Sequence, residues 1–140
     1  MSEAGAIPRV SVVLDCLDPA GLVPFWCAAL GYERAGEVST FVVLAPPEGQ
    51  RGPVFILQQV AEPRAGKNRM HLDLHAPLDP GVPALAARLE ALGGRRLGAP
   101  VTELHDSLGI WWLTMADPEG NEFDLVADRG HPLPDPTFIG

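Results

Sequence analysis

Basic residues are scarce. Ten Lys and Arg stand against 18 Asp and Glu, a formal charge of -8 at pH 7. They are scattered along the chain, which excludes nucleic acid as a partner, because phosphate binding needs clustered cations to release counterions. Cysteine is scarcer: Cys16 and Cys27 have neither metal-type nor redox-type spacing and read as free structural thiols. No apolar run approaches the roughly 18 residues that a membrane helix needs. Met1-Ser2-Glu3-Ala4-Gly5 carries neither the basic nor the apolar region of a signal peptide. The expectation is a soluble, cytoplasmic protein with no membrane partner. What is plentiful is apolar: 46% of the 140 residues, enough to bury one ordinary core without a staple.

The segment from Arg9 to Cys16 is rich in β-branched and aliphatic residues and reads as a strand. It runs into Asp18-Pro19, a side-chain acceptor followed by the residue best tolerated at the first helical position. Leu22, Phe25, Trp26, Ala29 and Leu30 then recur at helical spacing, and Gly31 is placed to end the helix in the left-handed conformation. Strands are expected at Tyr32 to Gly36, Thr40 to Ala45 and Val54 to Val60, with Pro- and Gly-rich turns between the last two.

After a polar stretch, Glu62 to Asn68, which reads as a surface linker, the order begins again. Met70 to His75 alternates as a strand, Asp79-Pro80 repeats the helix-start signal, and Val82, Leu85, Ala86, Leu89 and Leu92 form the apolar stripe before Gly93-Gly94. Strands are expected at Gly98 to Leu104, Ile110 to Ala116 and Glu122 to Ala127, the last two joined by the turn Asp117-Pro118-Glu119-Gly120. From capping Asp to stopping Gly is 13 positions in the first half, 18 to 31, and 14 in the second, 79 to 93. The recurrence points to a duplicated unit.

Four stretches carry a family resemblance: Val13-Leu14-Asp15-Cys16-Leu17-Asp18-Pro19, Phe25-Trp26-Cys27-Ala28-Ala29-Leu30-Gly31-Tyr32, Lys67-Asn68-Arg69-Met70-His71-Leu72-Asp73-Leu74 and Asp117-Pro118-Glu119-Gly120-Asn121-Glu122-Phe123. In that order they resemble the small bacterial glyoxalase-like proteins of the glyoxalase/bleomycin resistance/dioxygenase class, the vicinal oxygen chelate superfamily. The resemblance implies an α+β fold in which two βαβββ modules, 9–61 and 69–127, form one domain (9–127) with a curved mixed β-sheet cleft, followed by a tail at 128–140. It also implies a homodimer and a small-molecule ligand in the cleft. In metal-using members each module supplies one ligand from its first strand and one from its last, so that a divalent ion chelates neighbouring substrate oxygens.

Alternation along a strand names the residues that share a face. His71, Asp73 and His75 share one face of their strand, and Glu122 and Asp124 share one face of theirs. The resemblance places metal ligands at His71 and Asp124. In the first module the matching positions fall at Ser11 or Val13, neither a credible metal ligand, and near Leu57 or Gln58, of which only Gln58 offers an oxygen, a weak neutral donor for a divalent ion. His71, Glu122 and Asp124 are therefore candidate catalytic groups, acting as hydrogen-bonding or acid/base side chains. Ser11, Gln58, Asp73, Trp111 and Trp112 are candidate ligand-binding groups, one of the two tryptophans facing the cleft and the other the helices.

Three functions follow from these residues. The first is a binding protein that captures a small organic ligand with no tightly bound catalytic metal, motivated by the missing first-module ligands. The second is a lyase, isomerase or dioxygenase using a divalent ion at His71 and Asp124. The third is a metal-free enzyme in which His71 or a carboxylate moves a proton on a carbonyl compound. Fold alone does not choose among them.

Overall fold

The alternation of buried and exposed side chains in each half builds a four-stranded sheet with one helix laid on its apolar face. The computed structural model describes residues 9–128 and 130–139, so residues 1–5, read above for a targeting signal, lie outside it. The elements are β1 (Val12–Cys16), α1 (Pro19–Leu30), β2 (Glu33–Val38), β3 (Phe41–Ala45), β4 (Phe55–Gln59), β5 (Asp73–His75), α2 (Gly81–Ala91), β6 (Arg95–Arg96), α3 (His105–Leu108), β7 (Trp111–Ala116), β8 (Glu122–Ala127) and α4 (Pro136–Ile139). One sheet has the order β1-β4-β3-β2 and the other β5-β8-β7-β6. In both, the first strand runs parallel to the last and the remaining pairs are antiparallel. Two mixed sheets with the same internal order are the α+β, twice-built βαβββ architecture expected from the repeat. Among the described residues no helix is long and apolar enough to cross a membrane.

The first helix begins and ends where its local chemistry dictates. The Asp18 side chain accepts from the amide of Gly21 at 3.2 Å, Pro19 occupies the first turn, and Gly31 closes the helix with φ of 69°. Three expectations need correction. Asp79 does not cap α2, which starts after Pro80 without a side-chain cap; the amide of Gly81 instead donates to the Pro77 carbonyl at 3.0 Å. The strand expected at Gly98 to Leu104 is confined to Arg95–Arg96 plus a lone bridge from Val101 to Trp112. Gly98, at φ of 86°, and Pro100 interrupt the ladder, and the chain then turns into α3. The strand expected from Met70 is paired only from Asp73, leaving His71 just ahead of β5.

A single cluster of buried side chains runs through both halves. At its centre Trp26 of α1 stacks on Phe55 of the first sheet at 4.9 Å and meets Phe123 of the second at 5.1 Å between ring centroids. Phe25 adds an edge contact to Phe123 at 5.8 Å. The turn after β7 locks this junction. Buried Asp117 accepts from the Trp26 indole at 3.0 Å and from the amides of Glu119 and Asn121 at 2.9 Å each. The Glu119 carboxylate reaches back to the first half, accepting from the amides of Leu17 at 2.7 Å and Asp18 at 2.9 Å at the start of α1. The Asp-Pro-Glu-Gly-Asn stretch thus performs a structural task, tying one module to the other and satisfying donors that would otherwise be orphaned.

Candidate functional site

The side chains not used by the core stand on the opposite face of each sheet. In β8, Phe123, Leu125 and Ala127 are buried in the core while Glu122 and Asp124 turn outward; in β7, Trp111, Leu113 and Met115 are buried while Trp112 and Thr114 turn outward. The register sets Asp124 beside Asp73 on one neighbour and beside Thr114 on the other. The Thr114 hydroxyl accordingly donates to Asp124 Oδ1 at 2.6 Å. His71, two residues before Asp73, brings its Nδ1 to 3.0 Å from Asp73 Oδ1 and 3.8 Å from Asp124 Oδ2. Asp124 is well covered, whereas about half of the His71 and Asp73 side chains meets solvent.

His71, Asp73 and Asp124 therefore come together, each offering an atom within 4.8 Å of the others. All three belong to the second module. Gln58 is on the outward face of β4, paired in register with Asp15. Val13 is outward in β1 and Ser11 precedes that strand, so the first module puts an aliphatic chain and a hydroxyl where the second puts an imidazole.

A hollow of about 420 Å³ lies in the seam between the two modules. Ser11 lines it from one side and His71, Asn68 and Glu122 from the other, over a floor that includes Trp26 and Phe55. Its size and its apolar base with a few polar groups are those of a small-molecule pocket. Val10, Val13 and Met70 stand at its edge, 68%, 50% and 87% exposed. Glu122 does not stand free in this hollow: Arg64 Nη2 lies 3.1 Å from its Oε2. Trp111 is a core residue, 1% exposed, with its indole donating to the Pro132 carbonyl at 2.9 Å, so it is no part of the site. Trp112 is half-buried on the outward face beside Thr114.

Sequence reasoning missed Thr114 and Arg64. Thr114 becomes legible only once β7 is in register with β8, and Arg64 sits in a stretch that reads as a solvated linker. Elsewhere on the outward face His75 lies 2.8 Å from Asp128, and that hydrogen bond holds the Asp128 carboxyl below its ordinary range.

A family model described as the glyoxalase-like domain matches residues 11–126. The chain belongs to that family. It is a glyoxalase-like protein of the vicinal oxygen chelate superfamily, and solved structures share its fold. A glyoxalase-related enzyme from Fulvimarina pelagi is 19% identical with a TM-score of 0.66, the match covering 87% of this chain and 89% of that one. The genomically encoded fosfomycin resistance protein FosX from Listeria monocytogenes is 13% identical with a TM-score of 0.68, covering 89% and 96%. That protein, in a form complexed with Mn(II) and sulfate, matches at 12% identity and a TM-score of 0.65, covering 88% and 93%. No curated protein matches this glyoxalase-like chain significantly. At these identities the solved structures establish the fold and leave the chemistry to the residues present.

Proposed function

We propose that this glyoxalase-like protein binds a small organic ligand in the seam hollow, with the His71 imidazole as the polar group that meets it, and that no tightly bound catalytic metal is needed for capture. The observation that carries this reading is that Ser11 from one module and His71 from the other line one hollow of about 420 Å³ over an apolar floor. Asp73 and Asp124 orient the imidazole, and Arg64 holds Glu122 at the rim. Gln58 and Trp112, on the outward faces, act in ligand binding only if a larger ligand extends beyond the seam. The working unit is the pair of modules as one domain, 9–127, in the cytoplasm. The exposed Val10, Val13 and Met70 give a homodimer an apolar rim to cover.

A second reading, a metal-dependent lyase, isomerase or dioxygenase, is favoured by the addition of Asp73 to the expected pair. One imidazole and two carboxylates suit a first-row divalent ion, and an atomic span of 4.8 Å closes onto a common centre with small side-chain movements. Such an ion would supply Lewis-acid polarisation of neighbouring substrate oxygens. His71, Asp73 and Asp124 would hold it, while Thr114, already bound to Asp124 Oδ1, fixes the carboxylate so that Oδ2 faces the imidazole. A third, metal-free acid/base reading rests on the 3.0 Å contact between His71 and Asp73, which sets the ring for proton transfer.

Elemental analysis of protein purified without chelator, paired with a thermal-shift screen of small metabolites on wild type and His71→Ala, separates the three. Capture predicts substoichiometric metal and a stabilising ligand whose effect survives chelator and is lost in His71→Ala. A stoichiometric ion released by His71→Ala supports the second reading instead. Turnover of a carbonyl compound in the presence of chelator supports the third.

A further inference from the structure

A second and larger hollow, about 770 Å³, opens between the C-terminal end of α1, one face of α2 and the edges of β1 and β5. Its floor is apolar and closed: Ala29, Phe55, Ala76 and Leu85 are exposed by 8%, 3%, 5% and 8%. Besides Tyr32, whose hydroxyl donates to the Pro53 carbonyl, four ionisable residues line it, and two of them are already engaged. Asp73 holds His71 at 3.0 Å, and His75 holds Asp128 at 2.8 Å. The other two are Arg51 and Arg88. Among the described residues the arginines in ion pairs are Arg34, Arg64 and Arg96, so both guanidiniums on this wall stand without a carboxylate in a chain of charge -8.

The placement of both arginines follows from the fold. Arg88 is three residues after Leu85 in α2, hence on the same helix face, so the helix that floors the hollow with Leu85 also carries a cation to its rim. Arg51 begins the Arg-Gly-Pro loop, which is fixed by the Tyr32 hydroxyl donating to the Pro53 carbonyl at 2.8 Å. A Cβ at Gly52 would press on the same hydroxyl, so glycine there leaves the Tyr32 bond undisturbed. Two guanidinium forks above an apolar base match one ligand chemistry: an anionic head for the forks and a hydrocarbon body for the base.

We propose that this hollow is a second binding site, for a small organic acid with an apolar body, its carboxylate met by Arg51 and Arg88 and its chain laid over Phe55 and Leu85. It shares Val12, Phe55 and Leu72 with the seam hollow as the wall between them, but not His71. The two sites therefore stand or fall separately.

Amide shift mapping of the uniformly labelled full chain with octanoate, 1-octanol and inorganic phosphate tests it. Octanoate is expected to shift the amides of Gly31, Tyr32, Gly52, Leu85 and Arg88 and to bind at least about tenfold tighter than either probe that offers only body or only head. The double variant Arg51→Gln/Arg88→Gln, both positions being exposed, is expected to keep the melting temperature and to lose that preference. His71→Ala is expected to leave octanoate affinity within about twofold, which separates this site from the one in the seam. Octanoate shifts centred on Ser11 and His71, equal binding of 1-octanol or phosphate, or full octanoate affinity in the double variant would each overturn the proposal.

Discussion

At the level of single residues, much of the chemistry that looks reactive is structural. Burial pushes the Cys16 thiol from 9.0 up to about 12, reinforced by the negative charges of Glu119, Asp117, Asp15 and Asp18. The folded chain then keeps a proton that the unfolded chain has released, so this contribution is whole below pH 9.0 and is lost as pH climbs toward about 12. Denaturant titrations across that window should show stability falling more gently in Cys16→Ala than in wild type; parallel slopes would place the thiol elsewhere. Trp26→Phe keeps the ring against Phe55 and Phe123 but withdraws a donor from buried Asp117. The expected cost is about 1–3 kcal/mol, read from urea unfolding, because a buried carboxylate loses a partner it cannot replace with water. His71 and Asp124 were legible from alternation and from the resemblance. Alternation also put Asp73 on the face of His71, but not its 3.0 Å contact with the imidazole, because periodicity sets a shared face and not a distance between side chains.

At the level of elements, legibility followed how local the cause was. Asp18, Pro19 and Gly31 act within a few residues of their own position, so α1 was readable from its ends. Asp79-Pro80 carries the same letters, yet the amide it was expected to serve is taken by a carbonyl, and no spacing rule reveals that competition. The missing strand at Gly98 to Leu104 failed for a tertiary reason as well, since only Val101 finds a partner on β7. Two substitutions test the contacts that join elements. A Cβ at Gly94 would lie 2.6 Å from a Phe25 ring carbon and close to the carbonyls of Leu89 and Ala116, so Gly94→Ala should destabilise by about 1–3 kcal/mol in the same unfolding assay. Glu119→Ala frees the amides of Leu17 and Asp18, and hydrogen exchange at those two positions should accelerate while α2 keeps its protection.

At the level of the molecule, two sheets of identical strand order share one aromatic junction and leave between them a seam with a polar wall supplied chiefly by the second module. The unequal walls explain why family membership alone says little about chemistry: the two halves share one strand order, yet Ser11 and Val13 line the first-module wall of the hollow and His71 the other. The most direct measurement is amide shift mapping with whichever compound stabilises the protein most in the thermal screen. The expected result is a set of shifts on both walls of the seam, at Ser11 to Leu14 and at Asn68 to Leu72, that disappears in His71→Ala. Shifts confined to one wall, or unchanged by loss of the imidazole, would contradict a ligand site built between the modules.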